Sequence, residues 1–193
     1  MVSRILLTLL LVALPVSLSA APLKARGLSG SGVVLVPENE SHHEVILYGE
    51  PGIGRLQSVP LSALPVMKAF SGVRGFICLP VMAKKLGWLQ VVMDEAERLG
   101  WFEAGNGWLF DRWERFLKNR RISLFKGVGK DYYLLRTEPS ASADATGVVD
   151  SVAQFVVQDV SGDWVRVEGS GSASGWLRWR DQNSRLLVSI DCN

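Results

Sequence analysis

The side chains able to support chemistry are few and scattered. His42 and His43 are the only histidines of the chain, and Glu44 follows them. Neighbours on an extended chain point to opposite sides, and two more ligands for a tetrahedral metal are missing. A cysteine nucleophile needs a base that favours its thiolate, yet Cys78 stands in the apolar run Phe76-Ile77-Cys78-Leu79, which disfavours the charged form. Asp94, Glu95 and Glu97 fall in a turn between two expected strands, where a solvated turn explains them better than paired acid–base work. Gly127-Val128-Gly129-Lys130 has the composition of a phosphate loop but precedes no helix. The chain is therefore expected not to be an enzyme, and it implies neither a metal nor a cofactor.

The larger inventory is aromatic: seven tryptophans, at 88, 101, 108, 113, 164, 176 and 179. Most are expected in cores, because a small unit has little apolar area and tryptophan buries more than any other side chain. Trp179 stands apart. In Trp176-Leu177-Arg178-Trp179 it lies three residues beyond Trp176, so on a strand the two face opposite sides. With Arg178, and with Tyr132 and Tyr133 near the Glu138-Pro139 turn, it forms the candidate ligand-binding set Tyr132, Tyr133, Arg178 and Trp179, suited to a sugar or a peptide. Packing in a core or between units is the competing role for Trp179.

Two stretches that repeat one another must position these residues. Lys85-Leu86-Gly87-Trp88-Leu89-Gln90-Val91 leads to Gly100-Trp101-Phe102-Glu103, and Ser161-Gly162-Asp163-Trp164-Val165-Arg166-Val167 leads to Gly175-Trp176-Leu177-Arg178-Trp179. The first and second tryptophans are 13 residues apart in one copy and 12 in the other, as in a hairpin. Met82, Leu86, Leu89, Met93 and Ala96 also make a helical stripe. The second copy has none and alternates with period two, so residues 88–93 are expected to form a strand.

Along the chain, Arg4, the apolar run Ile5 to Leu14 and the small residues of Ser17-Leu18-Ser19-Ala20-Ala21 read as a cleaved secretory signal over 1–20. No later stretch is long and apolar enough to span a bilayer, so no membrane insertion is expected after cleavage, and the protein is expected in the periplasm or secreted. Loss of Arg4 leaves 20 basic against 19 acidic side chains, +1, which predicts no nucleic-acid partner. Residues 21–43 read as a flexible leader in which Val33-Val34-Leu35-Val36 pairs as an edge strand. Residues 44–110 form a first β unit. Residues 111–130 form a basic connector with a short helix from residue 112, capped by Asp111 and Glu114 and apolar at Trp113, Phe116 and Leu117. Residues 131–193 form a second unit of five short strands. Cys78 and Cys192 are a candidate disulfide of an exported chain, against the reading of Cys78 as a small buried hydrophobe.

Leu135-Arg136-Thr137-Glu138-Pro139-Ser140, Gly162-Asp163-Trp164-Val165-Arg166-Val167 and Gly175-Trp176-Leu177 occur in that order across 131–179. In this the chain resembles the bacterial SH3-like (SH3b) family of exported proteins. The first unit carries Gly87-Trp88 and Gly100-Trp101, but 37 residues separate Pro51 from Trp88 against 25 between Pro139 and Trp164. The resemblance implies a mainly β fold, two small SH3-like β-barrels in tandem with a short helical connector. It also implies a binding module of the cell envelope that recognises peptidoglycan or an envelope protein, with a structural or regulatory subunit docked to an envelope enzyme as the alternative.

Overall fold

The computed structural model describes residues 26–65, 69–71, 75–169 and 173–191. The signal-like segment 1–20 and Cys192 of the candidate disulfide lie outside the described residues. In chain order the strands begin with β1 (Gly32–Pro37), β2 (Glu44–Glu50), β3 (Ile53–Pro60), β4 (Phe70–Ser71), β5 (Phe76–Val81) and β6 (Ala83–Lys85). Next come β7 (Trp88–Val92), β8 (Leu99–Glu103), β9 (Leu109–Arg112), the helix α1 (Trp113–Leu117) and β10 (Arg121–Leu124). The chain continues with β11 (Leu134–Arg136), β12 (Ala145–Val148), β13 (Phe155–Ser161), β14 (Trp164–Gly169), β15 (Ser174–Arg178) and β16 (Val188–Asp191). The fold is mainly β.

One sheet has the order β3-β2-β8-β7-β6, and the larger one opens β12-β11-β15-β14-β13 before continuing through β10, β16 and β4. The two runs match strand for strand and residue for residue. Trp88 lies opposite Glu103 and Trp101 opposite Gln90; Trp164 lies opposite Arg178 and Trp176 opposite Arg166. Each second tryptophan also meets the opening strand of its sheet, Trp101 at Tyr48 and Trp176 at Arg136. A bulge interrupts each opening hairpin at the matching place, Leu47/Tyr48 and Leu135/Arg136. The Gly-Trp pairs follow from this geometry. A β-carbon built on Gly100 would lie 3.4 Å from Leu47 and run into the Met93 sulfur, and one on Gly175 would lie 3.2 Å from Leu135. Glycine lets the third strand of each run, β8 or β15, pass close over the leucine at the bulge. Residues 88–92 are a strand, so the helical stripe over 82–96 is not used.

Four sequence expectations are corrected. Among the described residues neither sheet closes into a barrel; both end in open edges. The Val-rich stretch is not an edge strand in a flexible leader but β1, the middle strand of a third sheet ordered β5-β1-β9. Its residues alternate between two cores: Val33 and Leu35 pack with Trp113, Phe116, Leu177 and Trp179, whereas Val34 and Val36 pack with Leu47, Leu89 and Phe102. The third sheet is thus a wall shared by the two cores, which is why the stretch has no polar face. The connector is no spacer either. Its Ile122 and Leu124 are buried as β10, between β13 and β16. Finally, α1 begins at Trp113 with no side-chain cap on Arg112, and the Asp111 carboxylate accepts a hydrogen bond from Arg115 instead of capping the helix. Asp111 is held in β9 opposite Val33, which sets its direction.

The longer excursion of the first unit has a destination. Its β4 pairs in parallel with β16 of the larger sheet, while β5 pairs with β1. Residues between the first hairpin and Trp88 therefore contribute to both cores, Ala69 and Cys78 to one, Leu61 and Leu79 to the other.

Candidate functional site

Trp179 is the main correction among the candidate residues: it is 1% exposed. Strand β15 ends at Arg178, and the next residue turns inward beneath α1. There its ring centre lies 5.1 Å from that of Trp113, and its Nε1 donates to the Gly162 carbonyl at 2.9 Å. A side chain so enclosed presents no face to a ligand. Tyr133 is half-buried and donates its hydroxyl to the Phe125 carbonyl at 2.9 Å. Tyr132 is half-buried too, in a short turn that packs beside β15, with its hydroxyl 3.4 Å from Gln182 Oε1. Cys78 lies 2% exposed in the core that holds Trp113 and Trp179.

Arg178 is half-buried, its side chain 20% exposed, and cross-strand pairing gives it an aromatic partner that the sequence set omitted. Its guanidinium carbon stands 5.7 Å from the ring centre of half-buried Trp164, directly across the hairpin. Asp163 restrains it: Arg178 Nη2 lies 3.5 Å from Oδ2, and Arg180 Nε donates to Oδ1 at 2.6 Å. Arg178 Nε donates to the Arg180 carbonyl at 3.1 Å, and Arg180 in turn sits 4.7 Å over the Trp179 ring. The outcome is a half-buried cation held against a half-buried aromatic ring while a second arginine ties the assembly to the core. Such a pair meets the apolar face of a sugar and a carboxylate together. The register of the hairpin was the available signal: the residue two beyond the second tryptophan must face the first.

In the first unit the matching place holds Trp88, half-buried, with the Tyr48 ring edge-on at 5.5 Å. Glu103 stands where Arg178 stands in the second unit, so the two surfaces differ in charge. A shallow depression of about 510 Å³ lies at the other end of β14, lined by Arg121, Gln154, Phe155, Gln158 and Glu168. Its polar groups are partly used internally, since Gln158 Nε2 donates to Glu168 Oε2 at 3.2 Å.

The acidic turn between β7 and β8 is not solvated throughout. Asp94 accepts from Arg98, which holds its carboxyl below the usual range. Glu97 reaches across to Arg185 of the second unit, whose hydrogen bonds lower the Glu97 carboxyl and raise the guanidinium. His42 and His43 are exposed, and Glu44 accepts from Ser58 at 2.6 Å. Among the described residues no three His, Cys, Asp or Glu side chains converge as metal ligands, and no helix is long and apolar enough to cross a membrane.

No family model matches the chain, and no curated protein matches it. Among solved structures it is similar to one titled "Endolysin LysPBC5 CBD", with 13% identity over 87% of this chain and 99% of that one and a TM-score of 0.25. So low a score assigns this chain neither a fold nor a function.

Proposed function

We propose that the chain is a non-catalytic binding module of the bacterial cell envelope, periplasmic or secreted. In this reading two SH3-like units stand in tandem over 44–110 and 131–193, and the second recognises peptidoglycan. The observation that carries it is Arg178 poised over half-buried Trp164 and tied down by Asp163. Peptidoglycan offers sugar rings and the carboxylates of its stem peptides. A half-buried indole supplies a stacking face, and a guanidinium already fixed by Asp163 loses little entropy when it meets a carboxylate. The matched registers of the two sheets support descent from one unit, and the altered residues of the first copy support a division of labour.

Pelleting the mature protein with purified peptidoglycan at low and high salt tests this. We expect co-sedimentation at low salt that weakens at high salt, because the Arg178 contact is partly exposed. Protein left in the supernatant at both salts would sink the reading. The alternative role, a structural subunit docked to an envelope enzyme, is favoured only by the shared wall of β5, β1 and β9, which fixes both units as one surface.

A further inference from the structure

We infer that the binding surface of the second unit extends from Trp164 and Arg178 to Arg166, Trp176 and Arg136, and that its ligand is a glycan carrying a negative charge on every second sugar. The inference rests on the peptidoglycan reading above and names the ligand class of that same site. It starts from hairpin register. Trp164 lies opposite Arg178, while Trp176 lies between Arg166 on one neighbouring strand and Arg136 on the other. Directly opposed residues share a face of a sheet, as do residues two apart on one strand. All five therefore stand on the outer face, since Leu135, Val165, Val167 and Leu177 are buried on the inner one. The first unit has none of these arginines. Glu103 lies opposite Trp88, and Gln90 and Tyr48 flank Trp101.

Accessibility changes with the charges. Trp101 is buried at 8% exposure, whereas Trp176 is half-buried and keeps part of its ring in solvent. Arg166 is exposed and has no hydrogen-bond or ion-pair partner among the described residues. Arg136 is held from the backbone, its Nη1 donating to the Ala143 carbonyl at 2.6 Å, which orients the guanidinium without neutralising it. The acidic side chains nearest the row are directed elsewhere. Asp159, opposite Arg166, lies 3.9 Å from Lys118, and Glu168 accepts from Gln158 at 3.2 Å. Beyond Arg136 the row ends at exposed Ala145, which leaves that end open.

The order guanidinium, indole, guanidinium runs across the strands from β14 through β15 to β11. Two strand spacings set Arg166 and Arg136 about 10 Å apart at their backbones, with the indole between them. An indole takes the apolar face of a sugar ring, and a guanidinium takes a carboxylate. A glycan with an acidic group on every second sugar, as peptidoglycan has through its stem peptides, offers charge, ring and charge in that order along its length. A neutral glycan leaves both arginines without a partner, and a free acidic peptide leaves the indole without a ring to stack on. Sheet strands hold all three side chains, so little chain is ordered on binding.

Calorimetric titration of the full mature chain with four probes tests this: peptidoglycan fragments of one and of two disaccharide–peptide repeats, neutral chitin oligomers of matching length, and free stem peptide. The two-repeat fragment should bind about tenfold more tightly than the one-repeat fragment, and more tightly than the chitin oligomer or the peptide. Arg166→Gln, which installs the first unit's residue and removes no internal partner, should abolish most of that advantage and leave thermal unfolding unchanged. Arg136→Tyr should act in the same direction. Equal affinity for one and two repeats, equal affinity for the neutral oligomer, or an Arg166→Gln variant that binds like wild type overturns the inference and leaves the peptidoglycan reading standing. Failure of every fragment to bind sinks both.

Discussion

Arg185 grips Glu97 with both terminal nitrogens, at 2.6 and 2.8 Å, although 88 residues separate them. Arg185 Nη1 also donates to the Arg26 carbonyl, and Asp181 accepts from Arg26 Nη2 at 2.9 Å. The hairpin turn of the first unit is thereby clasped to the C-terminal part of the second.

Glu97→Gln should lower stability at pH 7 by about 0.5–1 kcal/mol, a value kept small because both side chains are about one-third exposed. The Glu97 carboxyl is lowered below 4.5 in the folded state. Its contribution is therefore present above 4.5 and lost as pH falls through the lower, folded value. Urea melts of both proteins from pH 7 to pH 2.5 should show the difference shrinking at the acid end. A difference that grows on acidification would contradict the clasp.

Val33 and Val34 are adjacent and both buried, yet they belong to different cores. Val33→Ala and Val34→Ala should each cost about 1–3 kcal/mol, whereas a strand with one solvated face would tolerate one of the two. Denaturant melts should also give one shared transition for the two units. Two separate transitions would contradict the shared wall.

Trp179→Ala should cost about 3–5 kcal/mol, because it empties a space against Trp113 and leaves the Gly162 carbonyl without its donor. Trp164→Ala should cost much less, since that ring is only half-buried. Equal losses in a chemical denaturation series would place both rings in the core.

Leu86→Gly should change stability by no more than about 0.5 kcal/mol, with relief of left-handed strain at Leu86, where φ is +48°, offset by the greater entropy of glycine in the unfolded chain. Thermal melts measure it. A large loss would show Leu86 to be a packing residue.

The paired tryptophan strands could be read in the sequence because their period of two and their Gly-Trp followers are local patterns. Comparing the copies also overruled the helical stripe over 82–96. The wall strand β1 was misread because Val33-Val34-Leu35-Val36 lacks alternation, and alternation disappears when both faces are buried. Trp179 was placed on the opposite side from Trp176, as expected, but the choice of which one leaves the surface depends on Trp113, 66 residues earlier. No local pattern reports that contact. The Glu97–Arg185 clasp is equally long-range, and its two residues look like ordinary turn and loop charges. Trp164 and Arg178 were each visible, but only hairpin register brings them together.

The most direct measurement of ligand recognition is the set of indole N–H signals in an NMR titration with soluble peptidoglycan fragments. Seven tryptophans give up to seven resolved probes. The Trp164 signal should shift progressively to saturation, while those of buried Trp113 and Trp179 stay in place. No movement of Trp164 at saturating fragment, or movement of Trp113 and Trp179 without it, would contradict the proposed site.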